Sequence, residues 1–140
     1  MITLNHYFGE FLHSPEVTTL HVAHAIKLLD GVSNLMQAAV EAGVRFPINP
    51  VTKSQVSGAQ YGGWRPRACP IGSPGSSHKE GRGIDLYDPT NEIDAWCAMQ
   101  ASPGGALERF GLYIEHPTST PRWCHLTDRA PSSGNRVFYP

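Results

Sequence analysis

Residues 76–88 read SSHKEGRGIDLYD, and residues 121–128 read PRWCHLTD. Ile84-Asp85-Leu86-Tyr87 alternates as a strand does, turning Ile84 and Leu86 inward and placing Asp85 and Tyr87 on the other face. In Arg122 to Thr127, His125 shares a strand face with Trp123 and Thr127, while Cys124 and Leu126 face the opposite way. If these two strands are neighbours, Asp85 and His125 converge on one point and His78 reaches it from the preceding loop. Gly81 and Gly83 let that loop turn sharply. His78, Asp85 and His125 thus form a candidate ligand set for zinc, and three protein ligands leave one tetrahedral position open to water.

Outward from this pair of strands the chain reads as α+β. Ser14-Pro15-Glu16 offers an N-cap, a proline at the first helical position and a first-turn acid. Apolar residues then recur at helical spacing from Val22 through Ile26, Leu29, Val32, Leu35, Met36 and Ala39 to Val40, and Gly43 is a natural stop. Gly31 is a point where this helix bends or divides. His21, His24, Lys27 and Glu41 fall mostly on its outer side. Residues 1–13 read as an irregular, aromatic-rich arm. Residues 44–78 are dense in proline and glycine, a long ordered loop with brief extended pieces at Val44–Phe46 and Ser54–Val56. Asn91 is expected to cap a helix from Glu92 to about Gln100, burying Ile93, Trp96 and Cys97 or Met99. A short helical turn at Leu107–Phe110, a strand at Gly111–Glu115 and a closing edge strand at Arg136–Tyr139 complete the order. A helix followed by mainly antiparallel strands with interposed helices is an α+β arrangement.

A chain of 140 residues is most simply one domain, 1–140, large enough to bury a core without staples. A net charge of -1 gives no global field toward nucleic acid or an anionic membrane, so neither partner is expected. No stretch approaches the roughly 18 apolar residues of a membrane span. The start MITLNHYFGEF has no basic segment leading into an apolar run, so the expectation is synthesis in the cytoplasm without a signal peptide. The 3 cysteines, Cys69, Cys97 and Cys124, are odd in number and widely spaced, which argues against a disulfide framework. Cys124 stands beside His125, but strand alternation turns it away from the histidine's face, which counts against a thiol nucleophile. His21 and His24 are three apart and share a helical face, yet no carboxylate cluster marks a third ligand. His6 and His13 have no supporting pattern.

The segment SSHKEGRGIDL resembles the S-x-H-x-x-G-x-A-x-D signature of the M15 zinc peptidases, the D-Ala-D-Ala carboxypeptidase and dipeptidase group. Ser76, His78, Gly81, Gly83 and Asp85 stand in register, with Gly83 where alanine is usual. YGGWRP is similar to the family's S-G-Y-R stretch, matching Gly63, Trp64, Arg65 and Pro66, and WCH resembles its W-x-H phrase, supplying His125. The likeness spans about Val22 to Asp128. It implies a small single-domain, Hedgehog/DD-peptidase-like α+β fold with an antiparallel sheet packed on a long N-terminal helix. It further implies one Zn2+ on His78, Asp85 and His125, and hydrolysis of an amide in bacterial peptidoglycan stem peptides, by a carboxypeptidase or an endolysin-type endopeptidase of phage. The expected partner is then a peptidoglycan peptide, the site of action the bacterial cell wall, and the protein a monomer.

Such a site needs a carboxylate to take the proton of the attacking water and pass it to the leaving amine. Many family members keep an acid three residues before the last histidine, but here that position is Arg122. Glu115, ten residues before His125 and next to His116, is the expected base, with His116 as a transition-state donor. Glu80 and Asp128 are rivals, the first reading as a solvent-facing acid and the second as a turn residue paired with Arg129. Arg65 supplies a fixed positive fork for the carbonyl oxygen or for a peptide carboxylate. Ser76 or Ser77 could orient His78, and Tyr61, Trp64, Tyr87 and Trp123 could line a cleft or merely pack. If no acid reaches the water, the alternative is a non-catalytic zinc-binding module for cell-wall recognition or a virion. A purely structural role for the histidines is the second alternative.

Overall fold

In the computed structural model, which describes residues 1–140, Gly83–Tyr87 (β1) and Trp123–Thr127 (β3) pair antiparallel with Asp85 opposite His125. Tyr113–Glu115 (β2) lies on the other side of β3, and Val137–Phe138 (β4) closes the sheet, giving the order β1-β3-β2-β4. The expectation of an antiparallel sheet needs correction. β4 runs parallel to β2, with Ile114 beside Val137 and Glu115 beside Phe138, so the sheet is mixed. β3 runs antiparallel to β2 and so ends where β2 begins; the chain then passes that end of β2 and enters β4 on its far side, running the same way as β2.

The strand alternation divides the sheet as the sequence implied. Ile84, Leu86, Ile114, Cys124 and Leu126 are fully buried on one face. They join the inner side of the long helix Thr19–Glu41 (α2), chiefly Ala25, Leu28, Val32 and Leu35, in a single apolar cluster. Each Leu, Ile or Val among them contributes about 1.5–3 kcal/mol on burial. Glu92–Met99 (α3) adds Ile93 and Cys97 to the same cluster, and Ala106–Arg109 (α4) adds Leu107. Trp96 is only partly buried and Met99 is exposed, as are Ile26 and Val40 on the outer side of α2.

Several local readings shift. The long helix begins at Thr19, not after Ser14, because Thr18 and His21 form a reciprocal capping box: the Thr18 hydroxyl accepts from the His21 amide, and the His21 ring accepts from the Thr18 amide. Ser14 instead closes a tight turn, its carbonyl accepting from Val17. The helix runs unbroken through Gly31, whose hydrogen faces the Phe110 carbonyl so closely that a Cβ would stand 2.9 Å from that oxygen. The N-terminal arm is itself partly helical, Leu4–Phe8 (α1), with Tyr7 and Phe8 buried. Asn91 does not cap α3 with its side chain; both carboxylate oxygens of Asp88 do, accepting from the amides of Ile93 and Asp94. The extended pieces foreseen in the proline-rich loop reduce to two isolated bridges, Asn49 with Ser54 and Val56 with Leu86. No helix is long and apolar enough to cross a membrane.

Candidate metal centre

The face of the sheet turned away from the apolar cluster carries the site. Asp85 and His125 are directly opposed on neighbouring strands, and His78 enters from a single 3₁₀ turn at Ser77–Glu80. Gly81 ends that turn at φ 77, a left-handed conformation that glycine adopts without strain. Gly83 serves closeness instead. A Cβ there would stand 2.3 Å from the Ser77 hydroxyl oxygen, so the turn that delivers His78 packs down on the strand that delivers Asp85.

The three side chains meet. His78 Nε2 is 3.2 Å from Asp85 Oδ1 and 3.2 Å from His125 Nδ1, and His125 Nδ1 is 2.8 Å from the same Asp85 oxygen. All three residues are buried. Proton accounting shows what this triangle wants. His78 Nδ1 donates to the Gly63 carbonyl at 2.7 Å, since a carbonyl can only accept. Burial disfavours the imidazolium and lowers the His78 pKa against the pull of Asp85; this shift favours the neutral ring that metal binding requires. Burial pushes Asp85 upward too, but the facing imidazoles of His78 and His125 outweigh it, and the carboxyl lies well below the ordinary carboxylate range. Two ring nitrogens and a carboxylate oxygen therefore converge around one small space. A buried group of three donors in this state can hold a metal ion.

The second oxygen of Asp85 is also committed. Arg65 donates from one terminal nitrogen to Asp85 Oδ2 at 3.0 Å and from Nε to the Tyr61 carbonyl at 2.8 Å. Its other terminal nitrogen lies 3.5 Å from the Ile71 carbonyl. Arg65 thus orients the carboxylate ligand, as outer-shell partners do in metal sites. His78 takes its orientation from the Gly63 carbonyl and not from Ser76 or Ser77. The polypeptide immediately before Arg65 matters for a reason the sequence did not disclose: a Cβ on Gly63 would fall 1.9 Å from the Tyr7 carbonyl, so only glycine lets this segment carry its carbonyl to His78. The paired glycines of YGG were a visible signal, but the partner of their close approach was not.

Glu115 lies in the same cleft as the three donors. The β2–β3 register pairs Tyr113 with Thr127 and Ile114 with Leu126; one further step sets Glu115 across from His125. Asp85, His125 and Glu115 then form a row across three strands, on one face of the sheet. Burial raises the Glu115 pKa above its ordinary value, with His125 opposing. His116 does not line the cleft but sits behind its wall: its Nδ1 accepts from the Thr118 hydroxyl and amide, and its ring stacks on the cleft residue Tyr139 with centroids 4.5 Å apart. Neither rival acid lines the cleft, and Asp128 does not take the expected partner Arg129. Asp128 binds Arg82 at 2.8 Å, whereas Glu80 binds Arg129 at 2.8 Å.

Of the aromatic candidates, Trp123 lines the cleft and Tyr61 lines the adjoining hollow, while Trp64 is a core residue at 1% exposure. Tyr87 lies outside the cleft lining. Cys124 faces the core, where contact with Cys97 and burial push its thiol well up, which removes it as a nucleophile. His21 and His24 are spent on structure, His21 in the helix cap and His24 as donor to the Glu80 carbonyl at 2.8 Å. His6 closes the corresponding box with Thr3. No protein-family model, curated protein or solved structure matches the chain.

Proposed function

We propose that this protein is a zinc-dependent peptidase of the M15 type, with a Hedgehog/DD-peptidase-like fold, that hydrolyses an amide in peptidoglycan stem peptides. The observation that carries the reading is the buried triangle of His78 Nε2, His125 Nδ1 and Asp85 Oδ1, with edges of 3.2, 3.2 and 2.8 Å, set beside a carboxylate in the same cleft. Ligand atoms about 2.0–2.1 Å from a tetrahedral zinc lie roughly 3.3 Å from one another, so the triangle needs little adjustment to hold one. Two nitrogens and one carboxylate oxygen suit zinc among the common cations, and three protein ligands leave the fourth position free. Zinc bound there would lower the pKa of a coordinated water toward about 7 and polarise the scissile carbonyl.

The rest of the chemistry falls to the chain's own residues. The Glu115 carboxylate takes the proton of the attacking water and delivers it to the leaving amine; its burial-raised pKa suits a group that must both accept and release a proton near neutrality. Arg65 keeps Asp85 Oδ2 in place and retains two N–H groups for the carbonyl oxygen as charge develops on it. His116 has only Nε2 to offer as a donor, because Nδ1 is taken by Thr118.

The test is metal content followed by release of free amine from purified peptidoglycan. One equivalent of zinc with amine release that falls about 10²–10⁴-fold in Glu115→Gln supports the assignment. One equivalent of zinc with no amine release leaves the non-catalytic zinc module. Release that is unchanged in Glu115→Gln removes Glu115 as base.

A further inference from the structure

Two hollows meet at the metal centre. The first, about 670 Å³, runs from the triad to a wall made by residues 129–132 and 138–140. The second, about 450 Å³, extends the other way over the loop of residues 57–62. Arg65, Ile71, Asp85 and Trp123 line both, so the hollows join over the Asp85 side of the triad instead of ending there. Each arm has its own tyrosine, Tyr61 on the 57–62 side and Tyr139 on the other, while Trp123 lies between them. The charges in this groove are equally informative. Its two guanidinium groups already have carboxylate partners: Arg65 is held by Asp85 at 3.0 Å and Arg129 by Glu80 at 2.8 Å. A C-terminal carboxylate is held best by a cation that has no anion of its own, since an anion left short of countercharge in a partly buried cleft is costly. No side-chain cation lining this groove is free of an anionic partner.

We infer that the groove takes an extended peptide laid across the metal centre with chain continuing on both sides, and that it does not recognise a terminal carboxylate. The inference rests on the peptidase reading for the identity of the ligand, and it assigns the cut to an internal amide. In that cut the C–N bond breaks, water supplies OH to the acyl carbon and H to the amine, and both products remain peptides. Tyr61 and Tyr139 become specificity residues of opposite arms.

The probe is the acetylated stem pentapeptide Ac-L-Ala-D-Glu-L-Lys-D-Ala-D-Ala, as the free acid and as its C-terminal amide. Binding is measured by calorimetry to the zinc-loaded Glu115→Gln protein, which needs no turnover. Acid and amide bound within about threefold of each other, with both Tyr61→Ala and Tyr139→Ala weakening the amide severalfold, is the expected result. Amide binding weaker than acid binding by tenfold or more overturns the inference, as does sensitivity to only one of the two tyrosines. Product analysis with the wild-type protein separates the two levels. Release of single C-terminal residues overturns the internal cut while leaving a peptidase. Absence of any hydrolysis alongside equal binding of acid and amide removes the peptidase reading and keeps the through-groove.

Discussion

At the residue scale, the site depends on a few atoms that are held in place from outside it. Arg65 is the clearest case. Its bond to Asp85 Oδ2 leaves Oδ1 aimed at the two imidazoles. Arg65→Ala should therefore weaken zinc binding by about 10–100-fold, as loss of an outer partner commonly does, while the fold persists; competition with a chelator measures this. His78→Ala should abolish stoichiometric zinc with the far-ultraviolet spectrum intact, and retention of a full equivalent would refute the ligand assignment. Gly83 makes a different kind of contribution. In place of the alanine usual in the resembling motif, glycine leaves room for the Ser77 hydroxyl, which would lie 2.3 Å from an added Cβ. Gly83→Ala alone should cost about 1–3 kcal/mol by overpacking. Adding Ser77→Ala should restore part of that loss, since the clashing oxygen is removed, and a denaturant double-mutant cycle reads the coupling.

At the scale of elements, the long helix is defined by its cap more than by its apolar stripe. The stripe alone extends the helix back toward Ser14-Pro15-Glu16, whose composition imitates a helix start. Thr18 wins because its hydroxyl and the His21 ring satisfy two backbone amides at once. Thr18→Ala should lower stability by about 1 kcal/mol, against little change for Ser14→Ala, which only supports a turn; melting temperatures of the two variants decide it. The same competition occurs at α3. Asn91 is a good capping residue by type, but it adopts φ 59 and turns its amide to the Thr120 carbonyl, and Asp88 reaches the helix amides in its place. Asn91 thereby ties the start of α3 to the loop that leads into β3, the strand bearing His125.

For the whole molecule, one buried acid on the core side of the sheet sets a pH dependence separate from the metal chemistry. Asp94 is fully buried, accepts from the Thr120 hydroxyl at 2.7 Å, and keeps its Oδ1 without a partner. Burial lifts its pKa from 3.8 to about 6, with Thr120 opposing. A folded pKa above the unfolded one means that the folded state favours the proton. The Asp94 contribution is thus fully present below about pH 4 and is lost as pH rises through about 6. At 1.36 kcal/mol per unit this amounts to roughly 3 kcal/mol. Asp94→Asn removes the ionisation, so its stability relative to wild type should climb between pH 4 and pH 7; a constant difference across that range in urea titrations would contradict the assignment.

The sequence by itself determined the α+β class and the inward and outward faces of the two central strands, and it singled out His78, Asp85 and His125, the three residues that could hold a metal. These are local properties: a period of two and a glycine-framed turn fix where side chains point before any partner is known. Glu115 was singled out as the nearest upstream acid, ten residues from His125, but only strand pairing puts it on the row of Asp85 and His125. The parallel direction of the last strand, the Gly63 carbonyl that sets the His78 tautomer, and the pairing of Asp128 with Arg82 and of Glu80 with Arg129 were likewise decided only in the folded chain. Each is a contact between residues distant in sequence, chosen by which backbone segments can approach, and no short-range pattern encodes that choice.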